Sequence, residues 1–296
     1  KNPVSADQTL GDGFSSDDVE FELAFLEWRP AAVPGLALSG GKINKPFFRV
    51  CDLLWDGDLN PEGGALRYGL DLGPAKLLLN GAALAVTERS RDSDTYLYLG
   101  QAGLDYRNDD GLKMLAGVSY YHYDNMRGYG VIDWSNNFKG YGNTVREITD
   151  DQGRVVQAVY ADEYHELELM ASIGFNCPWT GLPLGFYGNF VRNIEADDDN
   201  KGFQTGIRVG GSGRLQPLEL DYSYRYLEAD AVVGAFSDSV SWGGGTNGKG
   251  HKLAAAYRIV EHLVLRASLY LDQQGLGAGE ESRDYKRVLV DITASF

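Results

Sequence analysis

Apolar and polar positions alternate with period 2 along most of the chain. The run 218–226 puts Leu218, Leu220, Tyr222, Tyr224 and Tyr226 on one face, and Glu219, Asp221, Ser223 and Arg225 on the other. A helix would repeat at three and four residues, so this spacing predicts a strand with one apolar and one wet face. The same reading holds at 19–25, where Val19, Phe21, Leu23 and Phe25 oppose Glu20 and Glu22. It holds at 203–209, with Gln204 and Arg208 on the wet side, and at 263–271, with Arg266 and Ser268.

Thirteen strands are predicted, at 18–29, 35–43, 64–73, 75–88, 93–107, 111–124, 161–176, 182–195, 201–212, 216–228, 250–260, 262–273 and 284–296. Most run to about ten residues or more, beyond the usual five or six of a soluble domain. Such lengths suit strands tilted across a bilayer core. The connections are short at 30–35, 73–74, 108–111, 213–216 and 260–261. They are long at 43–63, 126–160, 229–249 and 273–283, with a lesser one at 196–200. That asymmetry is expected of an outer-membrane barrel, with short periplasmic turns and long extracellular loops. The expected fold is therefore all-β, a transmembrane antiparallel up-and-down barrel forming one domain over 1–296. A soluble sandwich or lipocalin-like barrel would also alternate, so strand length and aromatic placement carry the distinction.

Composition narrows the partners. The chain has 296 residues, a net charge of −15, 38 Gly, 18 Tyr and two Cys. With an isoelectric point near 4.7, nucleic acid is not an expected partner, because phosphate binding needs clustered bases. No stretch of 18 apolar residues occurs, which excludes a membrane-spanning helix and leaves a barrel open. Lys1 opens the chain without a Met, so an upstream segment is expected. The cysteines, Cys51 and Cys177, are expected to be unpaired, since the topology sets them at different heights. Tyr96, Tyr98 and Tyr106 on one strand, and Tyr120, Tyr121 and Tyr123 on another, are expected in interfacial girdles.

The last strand alternates Val288, Val290, Ile292, Ala294 and Phe296 on one face. A terminal aromatic there resembles the assembly signal of outer-membrane barrel proteins, which implies a periplasmic end and recognition of Phe296 by barrel-assembly machinery. The stretches 10–14 (LGDGF), 23–28 (LAFLEW), 41–47 (GKINKPF) and 54–63 (LWDGDLNPEG), with a likeness running to the C-terminus, resemble the putative porin family of Gram-negative outer membranes. The resemblance implies a pore-forming barrel in the cell outer membrane, with no catalytic residues. On the implied orientation the long connections lie outside the cell. An odd strand count then places residues 1–16 extracellularly and predicts missing upstream strands, about sixteen in the full barrel.

Candidate chemistry centres on 43–63 as a constriction loop. It gathers Lys42, Lys45 and Arg49 with Asp52, Asp56, Asp58 and Glu62. Acids on a loop facing bases on a wall would set a transverse field that filters solutes by charge. The wet faces supply that wall: Glu20, Glu22, Arg67, Asp71, Asp105, Arg107, Glu166, Glu168, Arg208, Glu219, Asp221, Arg225, Arg258, Arg266, Arg287 and Asp291. These charges could equally pair among themselves and solvate the lumen. Asp56, Asp58, Asn60 and Glu62 resemble the opening of a calcium loop, without its full spacing and interrupted by Pro61. The acidic tip 197–200 is a second weak Ca²⁺ candidate, and no other cofactor is expected. His122, His165, His251 and His262 have no metal-ligand spacing, and no nucleophile or nucleotide motif stands in a strand-to-helix setting.

The expectation is a porin, not an enzyme, passing small hydrophilic solutes and ions with a mild cation preference. Membrane lipids are expected partners, and a homotrimer is the state common in the class. The alternative is the sheath of a larger outer-membrane complex, such as an electron conduit. A soluble β-protein and a barrel-embedded hydrolase are the remaining readings.

Overall fold

The computed structural model describes residues 21–90, 92–134, 140–211, 217–277 and 281–295. Thirteen strands form one antiparallel sheet, each bonded to its neighbours in chain order. They are β1 (Ala24–Trp28), β2 (Leu36–Lys42), β3 (Glu62–Leu72), β4 (Ala75–Thr87), β5 (Thr95–Arg107) and β6 (Lys113–Tyr123). After a separate hairpin, β7 (Val145–Thr149) and β8 (Val155–Tyr160), come β9 (His165–Asn176), β10 (Pro183–Asn193) and β11 (Lys201–Gly210). The sheet ends with β12 (Leu218–Leu227), β13 (Gly248–Val260), β14 (Leu263–Gln274) and β15 (Arg283–Ala294). β1 and β15 each bond a single neighbour among the described residues, so the sheet is open. The long connections all leave one end of the sheet and the short ones the other.

The faces are inverted relative to a water-soluble protein. Residues opposite one another in the register share a face, which makes Gln101, Ser119, Glu168 and their equivalents one continuous row. All three are buried, as are Arg225 on β12 and Gln204 on β11. The apolar face is the exposed one: Leu169 is 50% exposed, Tyr257 49% and Val290 65%. A soluble domain rarely displays so broad an apolar surface.

Burial on the polar face comes from the long connections, which fold back over it. Cavities on both sides of Val50, in loop 43–61, reach inner-face residues from Asp105 on β5 to Arg266 on β14. Those strands lie seven spacings apart in the sheet, about 34 Å if flat. The sheet therefore curls around this loop.

Three differences from the sequence expectations have local causes. The first strand begins at Ala24, and Phe25 shares the inner face with Glu27, because Glu27 pairs with Ser39 and Ser39 with Ala65. Glu22 precedes this strand, and Glu20 lies outside the described residues. Tyr121 and Tyr123 are buried on the inner face, while Tyr120 is exposed on the other. Period 2 places adjacent residues on opposite faces, so these three rings cannot form one girdle. The β7–β8 hairpin was not foreseen, and it sits inside the long connection 124–164.

Candidate functional site

The inner face changes character along its height. At the long-connection end β5 and β6 present buried Leu97, Leu99, Tyr121 and Tyr123, beside the buried polar Glu166, Glu168 and Arg225 of β9 and β12. Toward the short turns it becomes charged, with Asp105, Arg107, Lys113, Arg208, Asp221 and Arg266. Loop 43–61 takes its shape from this division. Its apolar residues, Ile43, Leu53, Leu54, Trp55 and Leu59, join a buried cluster with Tyr123, Tyr160, Tyr164 and Phe236. Trp55 meets Phe47 edge-on at 5.3 Å and Phe236 at a tilt at 5.2 Å, tying the loop to connection 228–247.

Two further contacts fix the loop across the curved sheet. On β5, Gln101 accepts the Phe48 N–H at 3.0 Å and donates to the Phe48 carbonyl at 2.8 Å. The Phe48 ring lies where a Cβ on Gly103 or Gly117 would stand, 2.1 and 2.5 Å from its ring atoms. Only glycine at these two inner positions leaves room for it. On β12, the Arg225 guanidinium donates to the Asp52 carboxylate at 2.7 Å and the Asp52 carbonyl at 2.9 Å. Arg225 also pairs with Asp238 at 3.4 Å, so one buried cation joins loop, wall and a second connection.

The charged residues of the loop have separate tasks. Lys45 donates to the Gly57 carbonyl at 2.7 Å and to that of Leu59, closing the loop on itself. Burial and the neighbouring Arg49 bring its ammonium down to about 8. Burial opposes charge on Asp52, yet Arg225 and Lys252 hold its carboxyl well below the usual carboxylate range. Burial pushes the Asp56 carboxyl up, although it accepts the N–H groups of Asp58 at 2.8 Å and Ser239 at 3.0 Å. Arg49 caps the Trp55 carbonyl at 3.0 Å and lines the open space beneath. Burial pushes the Cys51 thiol up to about 12. Cys51 and Cys177 are free, one in this loop and the other in the β9–β10 turn.

Lys42 and Glu62 do not join this group. They pair at 3.6 Å at the foot of the loop, on the outward face of Gly40 and Gly64. The calcium-like set also disperses: Asn60 donates to Glu22 at 3.3 Å, Glu62 holds Lys42, and both Asp56 oxygens accept backbone N–H groups. Among the described residues no group of three or more His, Cys, Asp or Glu converges as a metal site.

The wall residues fall on the inner face and largely pair there. Arg67 pairs with Glu27, Asp71 with Lys76 at 3.4 Å, and Asp105 with Arg107 at 2.9 Å. Arg208 meets Asp221 at 2.8 Å and Arg266 meets Glu219 at 3.9 Å. Arg266 also stands opposite Asp291 in the register. Arg287 packs over the Tyr285 ring at 5.2 Å, and Arg258 donates to the Glu261 carbonyl near a short turn. Glu166 accepts the Val233 N–H at 3.0 Å, while Glu168 accepts from Tyr121 at 2.9 Å and Asn189 at 2.7 Å. Phe296 lies outside the described residues. Glu27, Lys76 and Lys252 were not singled out in the sequence, although the last two alternate with apolar neighbours and were findable. Asp238 and Asn189 gave no such signal.

Three cavities remain between loop and wall, of about 330, 360 and 730 Å³. Bases predominate in two of them: Arg49, Arg107, Lys113 and Arg208 face Asp105 in the first. The second is near balance, with Arg49, Arg208, Lys252 and Arg266 against Asp52, Glu219 and Asp221, and the third holds Arg29, Lys45, Arg67 and Lys76.

The model of a family described as putative porin matches residues 1–296, the whole chain. No curated protein matches it.

Proposed function

Because the chain belongs to the putative porin family, we propose that its sheet is part of a closed outer-membrane barrel through which small hydrophilic solutes and ions diffuse passively. The observation that carries this reading is the inverted sheet, apolar outward and polar inward, wrapped around a charged loop. An open sheet with both edges bare cannot rest in a bilayer, where each unpaired backbone group costs several kcal/mol, so closure follows from the environment. The long connections face the cell exterior and the short turns the periplasm.

Loop 43–61 narrows the pore. Held by Phe48 on one side and Asp52 on the other, it divides the interior into passages lined by Arg49, Arg208 and their neighbours. No bond is made or broken in such a passage; size and charge do the filtering. The basic lining favours anions, where the sequence reading expected a mild cation preference. An inward loop also fills the space that a sheathed partner would need, which supports a diffusion pore over a conduit scaffold. Planar-bilayer recordings in a salt gradient test the selectivity. The expected reversal potential has the sign of an anion-preferring pore, and a cation-preferring sign contradicts the proposed role of the lining.

A further inference from the structure

The outward face of the sheet carries bases that nothing in the pore reading uses. Of the strand-borne cations on that face, Lys42 is paired with Glu62. The other four are Arg192, Lys201, Lys249 and Lys286; the Glu228 carboxylate accepts the Lys201 backbone N–H at 2.8 Å, and Asp284 shares the face of Lys286. Each lies near the long-connection end of its strand. The inner-face arginines, by contrast, are mostly paired. In a chain of net charge −15, four bases gathered at one rim of one face favour an external anion.

Their placement describes that counter-charge. Arg192 and Lys201 stand directly opposite each other on β10 and β11. Like charges in that position are destabilising, and an anion between them relieves the repulsion. Lys249 and Lys286 border a groove of about 330 Å³ with His251, Leu271 and Tyr224, and Asp284 at its rim. Below it the same face is apolar, with Leu253 and Val288 exposed. Phe203, Tyr224 and Tyr226 stack at this level, as rings do where a bilayer meets water. Cations above an aromatic belt above an apolar surface match a molecule with phosphate at one end and acyl chains at the other.

We propose that this face of β10–β15 binds the phosphorylated headgroup of a membrane lipid, with Lys249 and Lys286 holding one phosphate and Arg192 and Lys201 another. The site rests on the membrane-barrel reading. It adds a fixed lipid at the long-loop rim, at the height where connections 194–200 and 228–247 leave the sheet.

The test uses the full chain inserted in phosphatidylcholine vesicles containing either diphosphorylated lipid A or the same lipid stripped of phosphate. After detergent extraction, the lipid retained on the protein is measured by native mass spectrometry. The wild type is expected to keep the phosphorylated lipid and release the dephosphorylated one. The variant R192Q/K201Q/K249Q/K286Q is expected to lose at least about tenfold in retention, with its conductance unchanged. Equal retention of the two lipids by the wild type overturns the proposal without reference to any variant. So does unaltered retention by the variant, or full displacement by inorganic phosphate, which would mark a free-anion site. Failure of the wild type to insert at all would instead count against the barrel reading.

Discussion

At the residue scale the structure turns on Arg225. Its side chain is 7% exposed and bridges Asp52 in the loop to Asp238 in another connection. Replacing it with glutamine removes the cation bonded to both carboxylates and leaves Lys252 as their remaining positive neighbour. The expected loss is at the low end of the roughly 3–5 kcal/mol for breaking a buried pair, because Asp52 keeps about a third of its side-chain surface. R225Q should lower the temperature at which heat-modifiable gel mobility is lost, and should make single-channel current noisier. A quiet, unshifted variant would show that Phe48 alone holds the loop. Lys45 gives a pH-dependent counterpart. Its ammonium titrates near 8, below the ordinary 10.5, so the unfolded chain binds more protons between those values. The stability linked to this group therefore rises with pH across that window. In the pore the sign is also fixed: raising pH through about 8 removes a positive charge and weakens anion preference. Reversal potentials should show that step in the wild type, and K45M should lack it. At this scale the sequence was half legible. Period 2 put Arg67, Arg208, Arg225 and Asp291, each on its own strand, on the face opposite the apolar one, as the register does. It could not reveal that Arg225 reaches Asp52, 173 residues away, because loop docking leaves no periodic trace.

At the element scale, alternation located the thirteen strands of the sheet, set the first one too long, and missed the separate hairpin. The hairpin β7–β8 pairs in a connection whose packing is set by Tyr160 and Tyr164, rings buried against other loops. Its signal is tertiary. The first strand was misread because a short alternating run continues through residues whose register is set by β2 rather than by their own pattern. The glycines of β5 and β6 were equally silent. Gly103 and Gly117 admit Phe48, whereas Gly100 on the same strand meets nothing within 4 Å and faces outward. The outward face itself supports a sharp experiment. Leu169 lies mid-strand on β9 and is half exposed. In a bilayer, L169R should cost about 2–4 kcal/mol, as a base at the lipid midplane does. On a water-exposed face the same change would cost almost nothing. Unfolding of the two proteins from vesicles by urea separates these outcomes, and equal midpoints would deny that this face meets lipid.

At the scale of the whole molecule, charge is sorted by place rather than by total. The chain carries −15, yet the cavities beneath the loop are rich in Arg and Lys. The carboxylates gather instead in connections, as at Asp150, Asp197 and Asp198. Total charge thus misdirects any inference about selectivity, which depends on the few residues at the narrowest section. The central claim remains simpler than selectivity: the sheet closes around a water-filled passage. Single-channel recording of the protein in a planar bilayer tests it most directly. Discrete, stable conductance steps are predicted in wild-type protein, enlarged when the loop 43–61 is shortened. Protein that inserts with heat-modifiable mobility yet passes no current, with the loop intact or shortened, would contradict the account.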